Sequence, residues 1–171
     1  MSYIKLLAMD VDGTLTDGSI NIGVNGELYK TFNVKDGLGL KNLSNHGVIL
    51  AIITGRYSDI VQYRANELGI NEVYQNVSDK LSVLKSLEIK YKLTPEEIAY
   101  IGDDINDLPS LRYAGLSFAP NDAVEEVLNI VKIKLTRCSG HGAVRECTDY
   151  IIKLNNGDVW YENNLCNSSK V

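Results

Sequence analysis

The sequence predicts a single α/β domain built on a doubly wound, mostly parallel sheet. Short apolar runs, several of them rich in β-branched residues, alternate with segments whose apolar residues recur every three or four positions. The first pattern is typical of strands buried on both faces of a parallel sheet, and the second is typical of the helices that cover it. A length of 171 residues suits one domain with its own core. We assign residues 1–154 to this domain and residues 155–171 to a polar C-terminal tail.

Six short apolar runs are predicted to be the strands of this sheet, at residues 3–9, 48–53, 72–75, 98–101, 116–118 and 130–133. Helices are predicted at residues 59–68 and 79–91, because each segment places its apolar side chains near one helical face. A further helical turn is predicted after Thr94, where Pro95 and Glu97 complete the pattern of a capping box.

Residues 19–33 interrupt the alternation and are predicted to form a β-hairpin. Two stretches with alternating apolar residues flank Asn25 and Gly26, and an Asn-Gly pair in that position is a strong hairpin signal. The hairpin is expected to project between the first strand and the first long helix.

Acidic side chains follow two of the predicted strands. Asp10 and Asp12 come directly after the first strand, and Asp103 lies in an acidic group that follows residues 98–101. Asp and Asn are also ordinary turn and helix-capping residues. However, the carboxyl ends of parallel strands share one edge of the sheet, where ligands bind. Close carboxylates need a cation or a proton between them, and oxygen ligands suit Mg²⁺. Two such clusters therefore favour a magnesium site.

Two other strand ends carry groups that suit phosphoryl transfer. Thr54 and Arg56 follow residues 48–53 and supply a hydroxyl and a cation, and Lys80 lies near the start of a predicted helix. A hydroxyl, a lysine, a Mg²⁺ site and an attacking carboxylate together favour phosphate-ester hydrolysis through an aspartyl-phosphate.

These motifs resemble those of the haloacid dehalogenase superfamily of phosphatases, in the same order along the chain. The resemblance rests on Asp10-Val11-Asp12-Gly13-Thr14-Leu15-Thr16, Thr54-Gly55-Arg56, Lys80 and Gly102-Asp103-Asp104. Residues 32–37, 51–56, 74–75 and 142–146 are also similar to the 3-deoxy-D-manno-octulosonate 8-phosphate phosphatases, over nearly the whole chain. That family implies a Mg²⁺-dependent hydrolase of a sugar acid phosphate, usually a homotetramer, with a hairpin flap in place of a large cap domain.

The resemblance also implies roles for individual residues. Asp10 corresponds to the nucleophile and Asp12 to the general acid/base. Thr54 and Lys80 correspond to the residues that hold the phosphoryl group, and Asp103 completes the metal site with Asp10 and the backbone carbonyl of Asp12. The positions that correspond to substrate contacts are Asp12, Asn33, Val34, Lys35, Asp36, Gly37, Lys41, Arg56, Arg64 and Lys80.

Arg56 and Arg64 are predicted to bind the carboxylate of the substrate. They are eight residues apart, about two helical turns, which places them on one helical face. An Arg fork binds a planar carboxylate through two hydrogen bonds. Lys41 and His141 replace arginines that are usual in the octulosonate enzymes. A nine-carbon sialic-type acid 9-phosphate therefore stays open as an alternative substrate, although the nine-carbon enzymes tend to carry an acid at the position of Arg56.

The composition argues against several other classes of protein. Seventeen Lys and Arg against 22 Asp and Glu give a net charge of −5, without the basic face expected of a nucleic-acid-binding protein. No apolar run reaches the roughly 18 residues of a membrane span. The three cysteines contain no C-x-x-C pair and are expected to be free thiols, as is typical of a cytoplasmic protein.

Two alternatives of another kind remain. A receiver domain of a signalling protein also uses paired Asp, Thr, Lys and Mg²⁺, but its adjacent acidic pair follows the first strand, whereas here Asp103-Asp104 comes late in the chain. A non-catalytic sugar-acid-binding domain is expected to lack the nucleophile or a metal ligand, and neither is missing here. Turnover of a generic aryl phosphate would separate an enzyme from such a module.

Overall fold

A computed structural model describes residues 3–157. Short 3-10 turns lie at Pro95–Glu97 and Ile105–Asp107. The other elements of the described chain are, in order, β1 (Leu6–Met9), β2 (Asn21–Gly23), β3 (Gly26–Tyr29), α1 (Val34–Asn45), β4 (Ile49–Ile53), α2 (Asp59–Leu68), β5 (Glu72–Tyr74), α3 (Lys80–Tyr91), β6 (Ile98–Ile101), α4 (Leu108–Tyr113), β7 (Leu116–Ala119), α5 (Glu125–Leu128), β8 (Ile133–Lys134) and α6 (Ala143–Asn155).

Six strands form one parallel sheet in the order β5-β4-β1-β6-β7-β8. This arrangement confirms the predicted doubly wound α/β fold. The chain first builds outward from β1 through β4 and β5, and then crosses over to build outward through β6, β7 and β8. The winding direction therefore reverses at β1, and in open α/β sheets the crevice at such a reversal is the usual ligand site.

Alternate side chains of the central strands enter two separate hydrophobic cores. Leu7 and Met9 of β1 face a core covered by α1, α2 and α6. Leu6 and Ala8 face a second core, covered by α3, α4 and α5. Because both faces of the sheet are buried, its strands read as continuous apolar runs in the sequence.

One predicted strand is displaced. The sequence predicts a strand at residues 130–133, whereas β8 contains only Ile133 and Lys134. The backbone N–H groups of Ile130 and Val131 both donate to the carbonyl of Val127, which closes the chain into a turn after α5. These two amides are thus unavailable for strand pairing.

The predicted hairpin forms a separate two-stranded antiparallel sheet of β2 and β3. Gly26 follows the turn with a φ of +108°, a backbone conformation that favours glycine. Among the described residues this hairpin, called the flap below (residues 19–33), is the projecting element, and no large cap domain is present.

Helix α6 was not predicted. Its buried residues Val144, Cys147, Ile151 and Leu154 recur every three or four positions and pack in the same core as Leu40 and Leu43 of α1. This spacing is that of an amphipathic helix, so the sequence itself carried the signal. The predicted tail, with Trp160 and Cys166, lies outside the described residues from position 158 onward. Within residues 3–157, no helix has the length and apolar character needed to cross a bilayer.

Candidate active site

The sheet topology brings the predicted site residues to one edge. Asp10 follows β1, Thr54 follows β4 and Asp103 follows β6, and β1 pairs with both of the other strands. After Asp10 the chain turns sharply, because the carbonyl of Val11 accepts the backbone N–H groups of Thr14, Leu15 and Thr16. This turn begins the crevice at the carboxyl edge.

Three aspartates form the centre of the site. One carboxylate oxygen each from Asp10, Asp103 and Asp107 lies within 4.8 Å of the others. Asp10 and Asp103 were predicted to meet here. Asp107 belongs to the acidic group that contains Asp103 but was given no role, although its position four residues after Asp103 could have indicated that a helical turn returns it to the same point.

Lys80 is the only ammonium group that the described residues place against this cluster. It is the first residue of α3, and its Nζ lies 3.0 Å from Asp10 Oδ1 and 2.7 Å from Asp107 Oδ1. The side chain is 1% exposed. The Tyr100 hydroxyl also donates to Asp107 Oδ1, at 2.7 Å. Lys80 is therefore fixed in position beside the candidate nucleophile.

The buried carboxylates hold protons more tightly than usual. Burial and, secondly, the negative charge of Asp107 raise the pKa of Asp10 to about 6, against the opposing effect of Lys80. Burial raises the pKa of Asp103 to about 7, although the Thr14 hydroxyl donates to its Oδ1 at 2.8 Å. Three carboxylates share one ammonium group, so the cluster lacks positive charge.

The residues present fit a divalent cation. Carboxylate oxygens are the ligands that Mg²⁺ prefers, and Asp10, Asp103 and Asp107 bring one such oxygen each within 4.8 Å of the others. Two glycines make room for the carboxylates. A Cβ on Gly13 would lie 2.0 Å from Asp103 Oδ2, and a Cβ on Gly102 would lie 2.4 Å from Asp107 Cγ. Gly13 also has a φ of +86°.

Asp12 lies beside the cluster and contacts the flap. Its Oδ1 accepts a hydrogen bond from Lys30, and its Oδ2 lies 3.8 Å from Arg56 Nη1. Glu27 lies 3.1 Å from Lys30 Nζ and accepts a hydrogen bond from the Ser58 hydroxyl. Neither Glu27 nor Lys30 was predicted to belong to the site. Their signal was only that polar residues alternate with apolar ones along the hairpin.

Several residues predicted to contact the substrate lie just before or within α1, and two of them support the fold. Asn33 caps α1 by accepting the N–H of Lys35 at 2.9 Å, and its amide donates to the carbonyl of Gly140 at 3.1 Å. Asp36 is buried and accepts the N–H of Arg145 at 2.7 Å, so it ties α1 to the first turn of α6. Burial raises the pKa of Asp36. Val34, Lys35 and Lys41 are exposed.

Arg56 and Arg64 do not share a helical face. α2 begins at Asp59, so Arg56 precedes the helix, and the spacing argument that joined the two residues is wrong. Arg64 donates a hydrogen bond to Glu67 at 2.7 Å. Its Nη2 packs against Gly37, where a Cβ would lie only 2.4 Å from it. His141 lies in the glycine loop, with its Nδ1 2.8 Å from the carbonyl of Ser139.

Comparisons with known proteins agree with this geometry. Residues 57–146 match the family model of the haloacid dehalogenase-like hydrolases. A 3-deoxy-D-manno-octulosonate 8-phosphate phosphatase from Yersinia pestis is 44% identical over 149 residues, which cover 87% of this chain and 80% of that protein. The Moraxella catarrhalis enzyme, solved with a magnesium ion, a phosphate ion and a KDO molecule, has a TM-score of 0.88 at 43% identity and covers 94% and 92% of the two chains. The cobalt-bound Haemophilus influenzae enzyme has a TM-score of 0.87 at 40% identity and covers 90% of each chain.

Proposed function

Since this chain belongs to the haloacid dehalogenase-like hydrolases and is a phosphoric monoester hydrolase, we propose that it hydrolyses 3-deoxy-D-manno-octulosonate 8-phosphate through an aspartyl-phosphate on Asp10. The observation that carries this proposal is the contact of Lys80 with Asp10, inside a cluster of carboxylates at the sheet edge. A carboxylate beside a buried ammonium group is suited to attack a phosphorus atom whose oxygens that ammonium neutralises.

The first chemical step transfers the phosphoryl group to the protein. An Asp10 carboxylate oxygen bonds to phosphorus while the bond from phosphorus to the sugar oxygen breaks. Asp12 donates a proton to that leaving oxygen, because an alkoxide leaves slowly without protonation. In the second step Asp12 takes a proton from water as the water attacks the aspartyl-phosphate, which releases phosphate and restores Asp10.

The phosphoryl group is held by Thr54 and Lys80. Thr54 is buried at the end of β4, and its backbone is fixed by bonds to Tyr74 at 2.9 Å and to Val77 at 3.1 Å. Mg²⁺ would be held by Asp10, Asp103 and the backbone carbonyl of Asp12. Asp107 would adjoin this set and hold Lys80. When bound, it supplies positive charge to the phosphate oxygens.

The sugar acid carries a second anion, the carboxylate, for which Arg56 is the best-placed cation. The Arg56 side chain is 41% exposed, and its Nη1 has no hydrogen-bond partner among the described residues. Its contacts to Asp12 and Glu27, at 3.8 and 3.7 Å, are loose ion pairs. Arg56 is therefore free to turn toward a carboxylate, and Asn33, Val34, Lys35, Asp36, Gly37, Lys41 and Arg64 line the approach that we propose for the remainder of the sugar.

We also propose a homotetramer that works in the cytoplasm. Ile22, Val24 and Leu28 of the flap are exposed, although a two-stranded sheet alone is marginally stable in water. Pairing of flaps from several subunits would bury these side chains. Cys138 and Cys147 are free thiols, as a reducing compartment maintains them.

The substrate is tested with a panel of phosphate esters. We expect the wild type to prefer the octulosonate 8-phosphate to a nine-carbon sialic-type 9-phosphate and to a neutral sugar phosphate. Arg56→Ala should lower kcat/KM for the octulosonate ester by roughly 10- to 100-fold, the worth of one charged hydrogen bond, and leave the neutral ester unchanged. Arg112→Ala, at an exposed position of α4, is the matched control. Equal losses on both esters would show that Arg56 does not bind the carboxylate.

A further inference from the structure

Four charged side chains of alternating sign form a closed ring that includes Asp12, two residues after Asp10. Lys30 contacts Asp12 and lies 3.1 Å from Glu27 Oε1. Arg56 completes the ring, at 3.7 Å from Glu27 and 3.8 Å from Asp12. Two members come from the flap, one from the turn after β1 and one from the turn after β4. Asp12 is the member that belongs to the reaction.

The ion pairs of Lys30 are shorter than those of Arg56. The Lys30 side chain is 2% exposed, whereas the Arg56 side chain is 41% exposed and lies 3.7 and 3.8 Å from its partners. A buried ammonium group held by two carboxylates is costly to leave unpaired, so Lys30 and Asp12 fix one another's positions. Glu27 is in turn held by the Ser58 hydroxyl, at the N-terminus of α2. The flap is thereby attached to Asp12 through Lys30.

We propose that Lys30 is a positioning residue that holds the Asp12 carboxylate in the orientation required to protonate the leaving oxygen. The inference rests on the proposed role of Asp12. Lys30 keeps its own proton throughout, and Asp12 gives its proton to the oxygen whose bond to phosphorus breaks. The flap, through Lys30, thus orients the general acid of the active site.

The dependence of the rate on the leaving group tests this role. A nitrophenolate leaves without protonation, whereas the alkoxide of a sugar phosphate requires an acid. We expect Lys30→Met to lower the single-turnover rate of sugar-phosphate cleavage by about 10- to 100-fold, with KM changed less than about threefold. The burst rate of nitrophenolate release from p-nitrophenyl phosphate, which reports the first step alone, should fall by less than about threefold. Lys30→Arg, which retains the charge, should recover part of the loss on the sugar phosphate.

A double-mutant cycle gives an independent measurement. In an Asp12→Asn background, Lys30→Met should cause no further loss, because its effect passes through the removed carboxyl group. Lys90→Met is the matched control, since it removes a lysine from a Glu72 ion pair away from the carboxyl edge. Any sugar phosphate that the wild type hydrolyses serves for this test. A wrong sugar acid would therefore refute the substrate assignment without affecting this result.

Equal losses in the first step of both esters, a raised KM with unchanged kcat, or additive losses in the cycle would overturn the proposal in favour of a structural or substrate-binding role. An unchanged rate would overturn it as well. If Lys30→Met has no cooperative melting transition, Lys30→Gln is used in its place, because its neutral amide fits the same space. The same selective loss, smaller in size, is then expected, and a non-selective loss would refute the inference.

Discussion

Removal of divalent metal should make the stability of this protein fall as the pH rises from about 5 toward neutrality. In the folded, metal-free state, burial raises the pKa of Asp10 to about 6 and that of Asp103 to about 7, against an ordinary value of 3.8 for both. Between the ordinary and the raised values, the folded state binds protons that the unfolded chain has released. The free energy of unfolding therefore decreases with rising pH in this window and levels off above it.

The size of the effect follows from the same pKa values. Each group contributes about 1.4 kcal/mol per pH unit while it is protonated only in the folded state. From about pH 5 to about pH 7 the two groups together remove about 3 kcal/mol, with allowance for the partial exposure of Asp103. For a chain of this length, that corresponds to a fall in Tm of roughly 6–12 °C.

The assay is a series of thermal melts with a chelator across this pH range, repeated with saturating Mg²⁺. Mg²⁺ binds the ionised carboxylates, so we expect it to raise Tm most at the upper end of the range and to remove the fall. Asp103→Asn should weaken both the slope and the Mg²⁺ effect. The surface variant Asp149→Asn, which breaks only an ion pair with Arg145, should leave the slope unchanged. A metal-free Tm that is level or rises from pH 5 to 7 would refute the reasoning.

Two further variants test the nucleophile and the assembly. Asp10→Asn should lower turnover by roughly 10⁴-fold or more but raise the metal-free Tm at neutral pH, because a buried charge is removed; a rate near that of the wild type would mean that another residue attacks. Light scattering at micromolar concentration should show a tetramer that Ile22→Asp or Leu28→Asp dissociates, with loss of activity, whereas Ile89→Asp at an exposed site on α3 should have no effect. A fully active wild-type monomer would contradict the proposed assembly.

The parts of the site that the sequence predicted are those governed by strand ends. A residue that directly follows a buried parallel strand must lie at the carboxyl edge, so the meeting of Asp10 and Asp103 required only the strand assignment. Lys80 was predictable for the same reason, because α3 starts above that edge. The roles given to these residues remain predictions that the proposed assays address.

The parts that were missed depend on contacts between distant segments. Lys30 and Glu27 meet Asp12 and Arg56 only because the flap folds back over the edge, which no local pattern encodes. The hairpin even reverses the usual rule, since apolar Ile22 is exposed while the side chain of Lys30 is buried. The pairing of Arg56 with Arg64 failed because helix boundaries are uncertain by a few residues in sequence-based assignment.

The central position of β1 also determines when the enzyme can become active during synthesis. β1 is made before the other strands described here, yet its partners are β4 and β6, and β6 ends only at Ile101. Asp107, which holds Lys80, is made later still. The buried face of α1 packs against α6, which is the last helix described and is made after the other elements. A nascent chain halted before α6 would contain all the proposed catalytic side chains, but the apolar face of α1 would be exposed to solvent. Such a chain is expected to bind chaperones.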